Sequence, residues 1–161
     1  MPEPDRGIAS AAIRLIVVLD LEFTMSITVT YTQQARAFTA ILHPKGALDW
    51  STYRDLIVQA WAARNDGAAA LIVDLSDVDH IGTAGFVGLH TLAVLGQESQ
   101  PPDLETGWVA IRALVERPPP LRPLAVVNPR PRVQGILVRT PLADFLTIHT
   151  DLDTALAAVE R

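Results

Sequence analysis

Cysteine is absent from this chain of 161 residues, and its absence removes several kinds of site at once. No disulfide framework, thiolate metal centre or cysteine nucleophile can form. The absence fits a reducing compartment, and we expect a cytoplasmic protein. With 49% hydrophobic and 19% charged residues, the chain can bury a substantial core without covalent or metal cross-links, so we expect one domain.

Positive charge is also in short supply. The chain has 13 Lys and Arg against 18 Asp and Glu, for a formal net charge of −5. Nucleic-acid binding depends on clustered basic residues that neutralise phosphates. Here the basic residues are scattered, and prolines interrupt the densest group, between Arg112 and Arg132. We therefore expect no nucleic-acid partner.

No apolar run of transmembrane length is evident near the start of the chain. The stretch IASAAIRLIVVLDLEF, residues 8–23, is broken by Arg14, Asp20 and Glu22, whereas a spanning helix needs about 20 apolar residues. The preceding MPEPDR lacks the basic lead of a secretory signal. We expect no membrane insertion and no targeting segment, and we interpret residues 1–24 as an N-terminal extension.

The pattern after Met25 predicts two antiparallel strands and a helix. Apolar and polar residues alternate from Ser26 to Tyr31, and a second strand follows at 38–42. HPKGALDWS, residues 43–51, is predicted to be a loop in which Asp49 or Ser51 accepts hydrogen bonds from the free amides of the next helix. That helix is predicted over 52–64.

The rest of the chain continues to alternate between strands and helices. Residues 69–75 are apolar up to Asp74, which is typical of a central strand covered on both faces. A helix starting near Thr83 and ending at Gly96 is predicted next, and then a strand at 123–128, a helix at 132–140, a strand at 145–150 and a last helix capped by Asp151. This order predicts an α/β domain over 25–161, with a central mixed, mostly parallel sheet and helices packed against it.

An insertion at about 97–122 interrupts this alternation. Its ends are rich in proline, but four apolar residues between Glu105 and Glu116 recur at helical spacing: Trp108, Ile111, Leu114 and Val115. We predict one amphipathic helix there. The interpretation that we prefer is that it covers part of the sheet, and the alternative is that its apolar face docks a partner.

The residues do not form a pattern that indicates catalysis. The four histidines are far apart and lack the i, i+4 spacing that suits zinc, and neither a nucleophile elbow nor a phosphate-binding glycine loop is present. The acidic group of Asp74, Asp77 and Asp79 does not match a calcium loop. We expect Asp74 to have a structural role at the end of its strand, and Asp77 and Asp79 to shape the turn that follows. We predict no enzyme, no catalytic residue, no metal site and no cofactor.

Thr83 stands between Gly82 and Ala84 where a helix is predicted to begin. As a helix cap, its hydroxyl would contribute about 1 kcal/mol. The same hydroxyl could also accept a phosphate, whose charge of about −1.5 to −2 would alter any partner docked there. The small neighbours Gly82, Ala84, Gly85 and Gly88 would let the backbone of another protein come close.

These segments resemble the STAS domain of anti-sigma factor antagonists. The similar places are an apolar strand ending Asp74-Leu75-Ser76, the helix start Gly82-Thr83-Ala84-Gly85-Phe86-Val87, and Gly46-Ala47-Leu48-Asp49, which is similar to the family's Gly-x-Leu-Asp. LAVVNPRPRVQGILVRTPLADFLTIHTDLDTALAAV is similar to the last two strand and helix units. The resemblance covers about 26–96 and 123–161.

The resemblance implies a non-catalytic binding module that antagonises a kinase-type anti-sigma factor. In this family the kinase phosphorylates the hydroxyl at the helix start, and the unphosphorylated antagonist binds the kinase. Carried over to this chain, the phosphorylation target is Thr83, although Gly82 stands where the family usually has an acidic residue and Ala84 replaces a second serine. The expected partner-binding residues are Gly82, Thr83, Ala84, Gly85, Phe86, Gly88 and Asp49, and we also expect structural roles for Asp49 and Asp74.

Two other functions remain open. Some STAS proteins resemble this chain in having Thr-Ala-Gly or Thr-Gly-Gly at the helix start, and they serve as small cytoplasmic subunits of lipid-transporting ABC systems. In that case the helix would pack on the transporter's ATPase. An enzyme is the third possibility, which the lack of a nucleophile with a base disfavours.

Overall fold

The computed structural model describes residues 16–17, 26–34, 36–94 and 124–160. These residues form strands and helices in alternation. The strands are β1 (Ile16–Val17), β2 (Ser26–Gln33), β3 (Phe38–Leu48), β4 (Ala70–Asp74), β5 (Val78–Ile81), β6 (Leu124–Val127) and β7 (Leu146–His149). The helices are α1 (Tyr53–Asn65), α2 (Thr83–Val94), α3 (Pro131–Leu137) and α4 (Leu152–Val159), and a 3₁₀ helix (Pro141–Asp144) precedes β7.

The strands form one sheet in the order β1-β2-β3-β4-β6-β7, and β5 pairs with the second half of β3. The pairs β1/β2 and β2/β3 are antiparallel, and the remaining pairs are parallel. Parallel neighbours need a crossover, which α1, α3 and other segments supply between the strands. The predicted fold class, a mixed and mostly parallel sheet with helices packed against it, is confirmed.

The two faces of the sheet carry different cores. Alternate residues such as Val29, Leu42 and Val73 face the larger core, where they meet α1 and α2. The opposite face buries a smaller cluster, in which Ile72 and Val127 pack on Leu156 of α4: Ile41, Ile72, Ala125, Val127, Ala155 and Leu156. Because α4 packs over β4, β6 and β7, it does not cover the polar side chains of β2.

β3 is longer than the sequence predicts. The prediction of a loop over 43–51 is wrong, because β3 continues to Leu48 and pairs with β5 through Gly46, Ala47 and Leu48. Gly46 has a φ of 107°, a left-handed backbone that favours glycine, and the pairing register shifts immediately after it. Because of this bulge, the strand continues beyond Gly46, although the segment that contains this glycine was predicted to be a loop.

The predicted turn after β4 is shorter than expected, because Val78–Ile81 forms β5. Val78 and Ile81 are buried, while Asp79 and His80 between them are exposed. This spacing is not the strict alternation that identifies a strand, so the element was missed. Asp77 remains in the turn, and its carbonyl accepts a hydrogen bond from the Gly46 amide at 3.0 Å.

Two predicted regions fall largely or wholly outside the described residues. The amphipathic helix expected between Glu105 and Glu116 lies outside them, as does most of the segment 1–24. Within that segment, β1 pairs with Thr28 and Val29 of β2, so this short part joins the sheet. Among the helices that the structure describes, none is long and apolar enough to cross a membrane.

Candidate functional site

The starts of α1 and α2 lie side by side because the strands that lead into them are parallel neighbours. β3 ends at Leu48, which is paired in register with Ile81 at the end of β5. The amide of Gly82 then donates a hydrogen bond to the carbonyl of Leu48 at 2.9 Å. The turn that begins at Asp49 and the start of α2 are therefore held together by backbone.

The inner side of α2 is packed closely against the end of β3. A Cβ atom on Gly85 would lie 2.4 Å from the Leu48 carbonyl oxygen and 2.9 Å from Cγ2 of Ile81. Only a residue without a side chain permits this approach. Ala84 is fully buried, and Gly88 faces Tyr53 of α1. Ala84, Gly85 and Gly88 therefore face the interior of the protein, and their small size permits the close packing of α2.

Thr83 is the first residue of α2 and its side chain is exposed. The first helical hydrogen bond runs from the Phe86 amide to the carbonyl of Gly82 at 3.3 Å, so Gly82 occupies the N-cap position. In the part of the chain that the structure describes, the Thr83 hydroxyl makes no hydrogen bond. The prediction that Thr83 caps the helix is therefore wrong by one position, and its hydroxyl projects to the surface.

Asp49 fixes the turn between β3 and α1. Its Oδ1 accepts hydrogen bonds from the hydroxyl of Ser51 at 2.6 Å and from the amide of Ser51 at 2.9 Å. The buried Thr52 hydroxyl accepts from the Asp49 amide at 2.9 Å and donates to the Ala47 carbonyl at 2.7 Å. The predicted capping of α1 by Asp49 or Ser51 is wrong, because the helix begins at Tyr53 after Thr52 and the Asp49 carboxylate is used within the turn.

The electrostatics of this turn favour an ionised Asp49. Hydrogen bonds from the side chain and the amide of Ser51 hold the pKa of the Asp49 carboxyl below its usual range. A smaller contribution to the lowered pKa comes from the nearby His80. Asp49 is therefore a negative charge near neutral pH, as well as the structural residue that was expected.

Five residues form one surface around this junction, which we call the Thr83 surface: Asp49, Trp50, His80, Gly82 and Thr83. A Cβ atom on Gly82 would lie 3.8 Å from both Cβ of Asp49 and Nε2 of His80, which places those two side chains beside the helix start. Trp50 is 55% exposed and lies edge-on to the Tyr53 ring, with 5.6 Å between ring centroids.

Sequence reasoning missed two of these five residues. Trp50 lies in the segment that was predicted to be a loop, and its exposure was not expected because tryptophan is highly buried on average. His80 was not predicted to belong to this site, and it is brought to Gly82 by β5, which the sequence did not predict. Phe86, which was predicted to contact a partner, is half-buried and packs against the larger core.

Asp74 and Asp79 have different partners. Asp74 is the last residue of β4, and its carboxylate accepts a hydrogen bond from the Ser76 amide at 3.0 Å, which confirms the predicted role at the end of the strand. Asp79 forms an ion pair with Arg130, whose Nε also donates to the Ser76 carbonyl at 2.9 Å. Among the described residues, no group of three or more His, Asp or Glu side chains is arranged to hold a metal ion.

A polar network on the face of the sheet opposite the larger core was also not predicted from the sequence. The Thr30 hydroxyl lies 2.9 Å from Nε2 of His43, and Nδ1 of His43 lies 3.3 Å from the Asp74 carboxylate. The three residues are far apart in sequence, and the register of β2, β3 and β4 brings them together. The network joins three strands at the sheet surface, where His43 and Asp74 are partly exposed.

Comparison with known proteins gives structural matches only. No known protein-family profile matches the chain, and no curated protein sequence matches it either. The crystal structure of a proposed anti-sigma factor antagonist from Thermotoga maritima superposes with a TM-score of 0.56 at 18% identity, over 83% of this chain and 95% of that one. An anti-sigma factor antagonist from Mycobacterium paratuberculosis gives 0.54 at 22% identity, over 84% and 96%.

These matches cover nearly the whole length of the two compared proteins. The resemblance noted from the residues is therefore confirmed at the level of structure. The chain has the STAS fold of the anti-sigma factor antagonists.

Proposed function

We propose that this protein is a non-catalytic regulatory module, an anti-sigma factor antagonist that binds a kinase-type anti-sigma factor through the Thr83 surface. Phosphorylation of Thr83 would switch this binding off. The protein would act in the cytoplasm, where such a kinase has access to its nucleotide. The observation that carries the proposal is the Thr83 hydroxyl itself, exposed on a fold that anti-sigma factor antagonists share.

The rigidity of the surface supports a role in recognition. The Asp49 turn is held by hydrogen bonds from Ser51 and Thr52, and the start of α2 is held by the Gly82 to Leu48 hydrogen bond. A surface that is already ordered loses less conformational entropy when a partner binds. The exposed indole of Trp50 adds an aromatic side chain of the kind that is enriched at protein interfaces.

The consequence of a phosphate at Thr83 follows from the charges around it. The free amides at the start of α2 favour a nearby anion, so the protein itself would tolerate the modification. The ionised Asp49 already lies beside Gly82, and a phosphate would add a second, larger negative charge to the same surface. A partner that fits the unmodified surface would therefore meet added charge and bulk at its centre.

The experiment that tests the proposal is a pull-down from the native cell extract, followed by mass spectrometry of the bound proteins and of the Thr83 peptide. Wild type and Thr83→Ala should capture a kinase-like anti-sigma factor, Thr83→Asp should capture much less, and the phosphate should be found on Thr83 in wild type alone. Recovery of a transporter ATPase with unmodified Thr83 would contradict the proposal and support a role as an ABC transporter subunit.

A further inference from the structure

A hydroxyl, an imidazole and a carboxylate meet in that order on the face of the sheet opposite the larger core. The Thr30 hydroxyl lies 2.9 Å from Nε2 of His43, and Nδ1 of His43 lies 3.3 Å from Oδ2 of Asp74. A carboxylate only accepts hydrogen bonds, so Nδ1 carries the proton of this contact and donates to Asp74. In the neutral imidazole Nε2 is then the acceptor, and the Thr30 hydroxyl donates to it.

This order of contacts is the one found where a hydroxyl acts as a nucleophile. Such a hydroxyl needs a base within hydrogen-bond distance and a third group that orients the base. His43 supplies the base to Thr30, and Asp74 orients the His43 ring. The three residues are far apart in the sequence, and only the register of β2, β3 and β4 places them together.

The Thr30 hydroxyl can be approached from solvent. The side chains of His43 and Asp74 are 32% and 21% exposed, and Thr30 is partly exposed as well. On this face of the sheet α4 packs mainly over β4, β6 and β7, whereas Thr30 belongs to β2. A small reagent can therefore reach Oγ1 of Thr30 without a movement of α4.

A second threonine beside a histidine provides a comparison within the same protein. The hydroxyl of Thr147 in β7 lies 3.1 Å from Nε2 of His149. In the described parts of the chain, no carboxylate accepts a hydrogen bond from Nδ1 of His149. Thr147 thus has a base without a carboxylate bound to it, whereas Thr30 has both. A difference in reactivity between the two threonines would measure what Asp74 adds.

We infer that Thr30 is a covalent modification site that accepts the acyl group of an activated ester. Oγ1 of Thr30 attacks the acyl carbon, so that a new ester bond forms and the bond from that carbon to the leaving alcohol breaks. The hydroxyl proton passes to Nε2 of His43 and from there to the leaving oxygen. Asp74 is a positioning residue. The site is separate from the Thr83 surface, and a single transfer to the protein requires no turnover.

Acetylation by p-nitrophenyl acetate tests this inference, and the composition of the chain simplifies the assignment of the product. There is no cysteine, and the only lysine is Lys45, which a Lys45→Arg background removes. Alkaline hydroxylamine cleaves an acetyl ester but not the amide that forms at the N-terminal amine. Peptide mass spectrometry should locate a hydroxylamine-sensitive acetyl group on Thr30, formed at least about ten-fold faster than one on Thr147.

Three variants in this background separate reactivity from structure. Thr30→Val removes the hydroxyl, and the ester should be absent. His43→Gln should slow acetylation of Thr30 by about ten-fold or more, because no base takes the proton. Asp74→Asn keeps an oxygen that can accept from the Ser76 amide but removes the charge that orients His43, so the rate should fall towards that of Thr147. Circular dichroism should show that each variant is folded.

Two results would overturn the inference. One is the absence of a hydroxylamine-sensitive acetyl group on Thr30 under conditions that acetylate the N-terminal amine, which serves as the internal control for the reagent. The other is a rate of Thr30 acetylation that neither His43→Gln nor Asp74→Asn changes, because the network would then serve the structure of the sheet alone.

Discussion

The starts of α4 and α2 are built in different ways. At α4, the Asp151 carboxylate accepts a hydrogen bond from the Thr154 amide at 2.8 Å and another from the Thr154 hydroxyl at 2.7 Å. At α2, the N-cap position holds Gly82, which has no side chain to offer, and the hydroxyl of the next residue is exposed. The start of α4 therefore contributes to stability through a side-chain cap, and the start of α2 does not.

The difference indicates that the threonine at the start of α2 does not serve to cap its own helix. Close packing at Gly85 fixes the position of the helix, so the helix is held without a side-chain cap. The Thr83 hydroxyl is then available for a contact or a modification that does not weaken the fold. Four substitutions measure this difference, from the largest expected effect to the smallest.

Gly85→Val should give the largest loss. The new side chain would lie far inside contact distance of the Leu48 carbonyl, so α2 must move away from β3, and the free energy of unfolding should fall by about 2 kcal/mol. Urea denaturation measures the change. The control is Gly135→Ala in α3, where no atom lies within 4 Å of the added Cβ, and it should stabilise by about 0.5–1 kcal/mol. Equal effects at the two glycines would show that Gly85 is not closely packed.

Asp151→Ala should destabilise the protein less than Gly85→Val, by removing the cap of α4. Hydrogen bonds from the amide and hydroxyl of Thr154 lower the pKa of the Asp151 carboxyl. A lowered pKa in the folded state means that this stabilisation is complete above the unfolded pKa of about 3.9 and is lost as the pH falls through the folded pKa. Denaturation at pH 7 and near pH 2 should therefore show a difference from wild type that shrinks in acid. A difference independent of pH would contradict this role of the carboxylate.

Gly82→Ser should give a small gain. A Cβ at this position would meet no atom closer than 3.8 Å. A serine hydroxyl can supply the side-chain cap that α2 lacks, which should raise the free energy of unfolding by roughly a few tenths of a kcal/mol. Thermal denaturation is the suitable measurement. A loss of stability would indicate that the backbone at Gly82 does not accept a side chain.

Thr83→Ala should change stability least, within about 0.5 kcal/mol of wild type, because the exposed hydroxyl has no hydrogen bond to lose among the described residues. Urea denaturation beside Asp151→Ala compares the two helix starts directly. If Thr83→Ala costs as much as Asp151→Ala, the hydroxyl is a cap and the contrast between the two helices does not hold.

Much of the fold could be predicted from sequence because the signals were local. The alternation of β2, the apolar run of β4 and the cap at Asp151 each depend on neighbouring residues, and the structure contains all three. The extension of β3 and the presence of β5 could not be predicted in the same way. Each of those segments is a strand because the other pairs with it, and Gly46 alone reads as a break.

The candidate site shows the same division. Thr83 was identified from its place at a predicted helix start, and the structure exposes it there. The inward direction of Ala84, Gly85 and Gly88 depends on how α2 rotates against β3 and α1, which helical spacing in a short glycine-rich stretch does not determine. The proximity of His80 and Trp50 to this site depends on tertiary contacts, so sequence reasoning did not find them.

The affinity of the captured anti-sigma factor for wild type, Thr83→Asp and Thr147→Asp tests the central proposal most directly. Thr147 in β7 is also exposed and provides a control with the same change of charge. We predict that Thr83→Asp weakens binding by about ten-fold or more, equivalent to about 1.4 kcal/mol, and that Thr147→Asp binds as wild type does. Equal binding by wild type and Thr83→Asp would contradict the assignment of the Thr83 surface as the regulated interface.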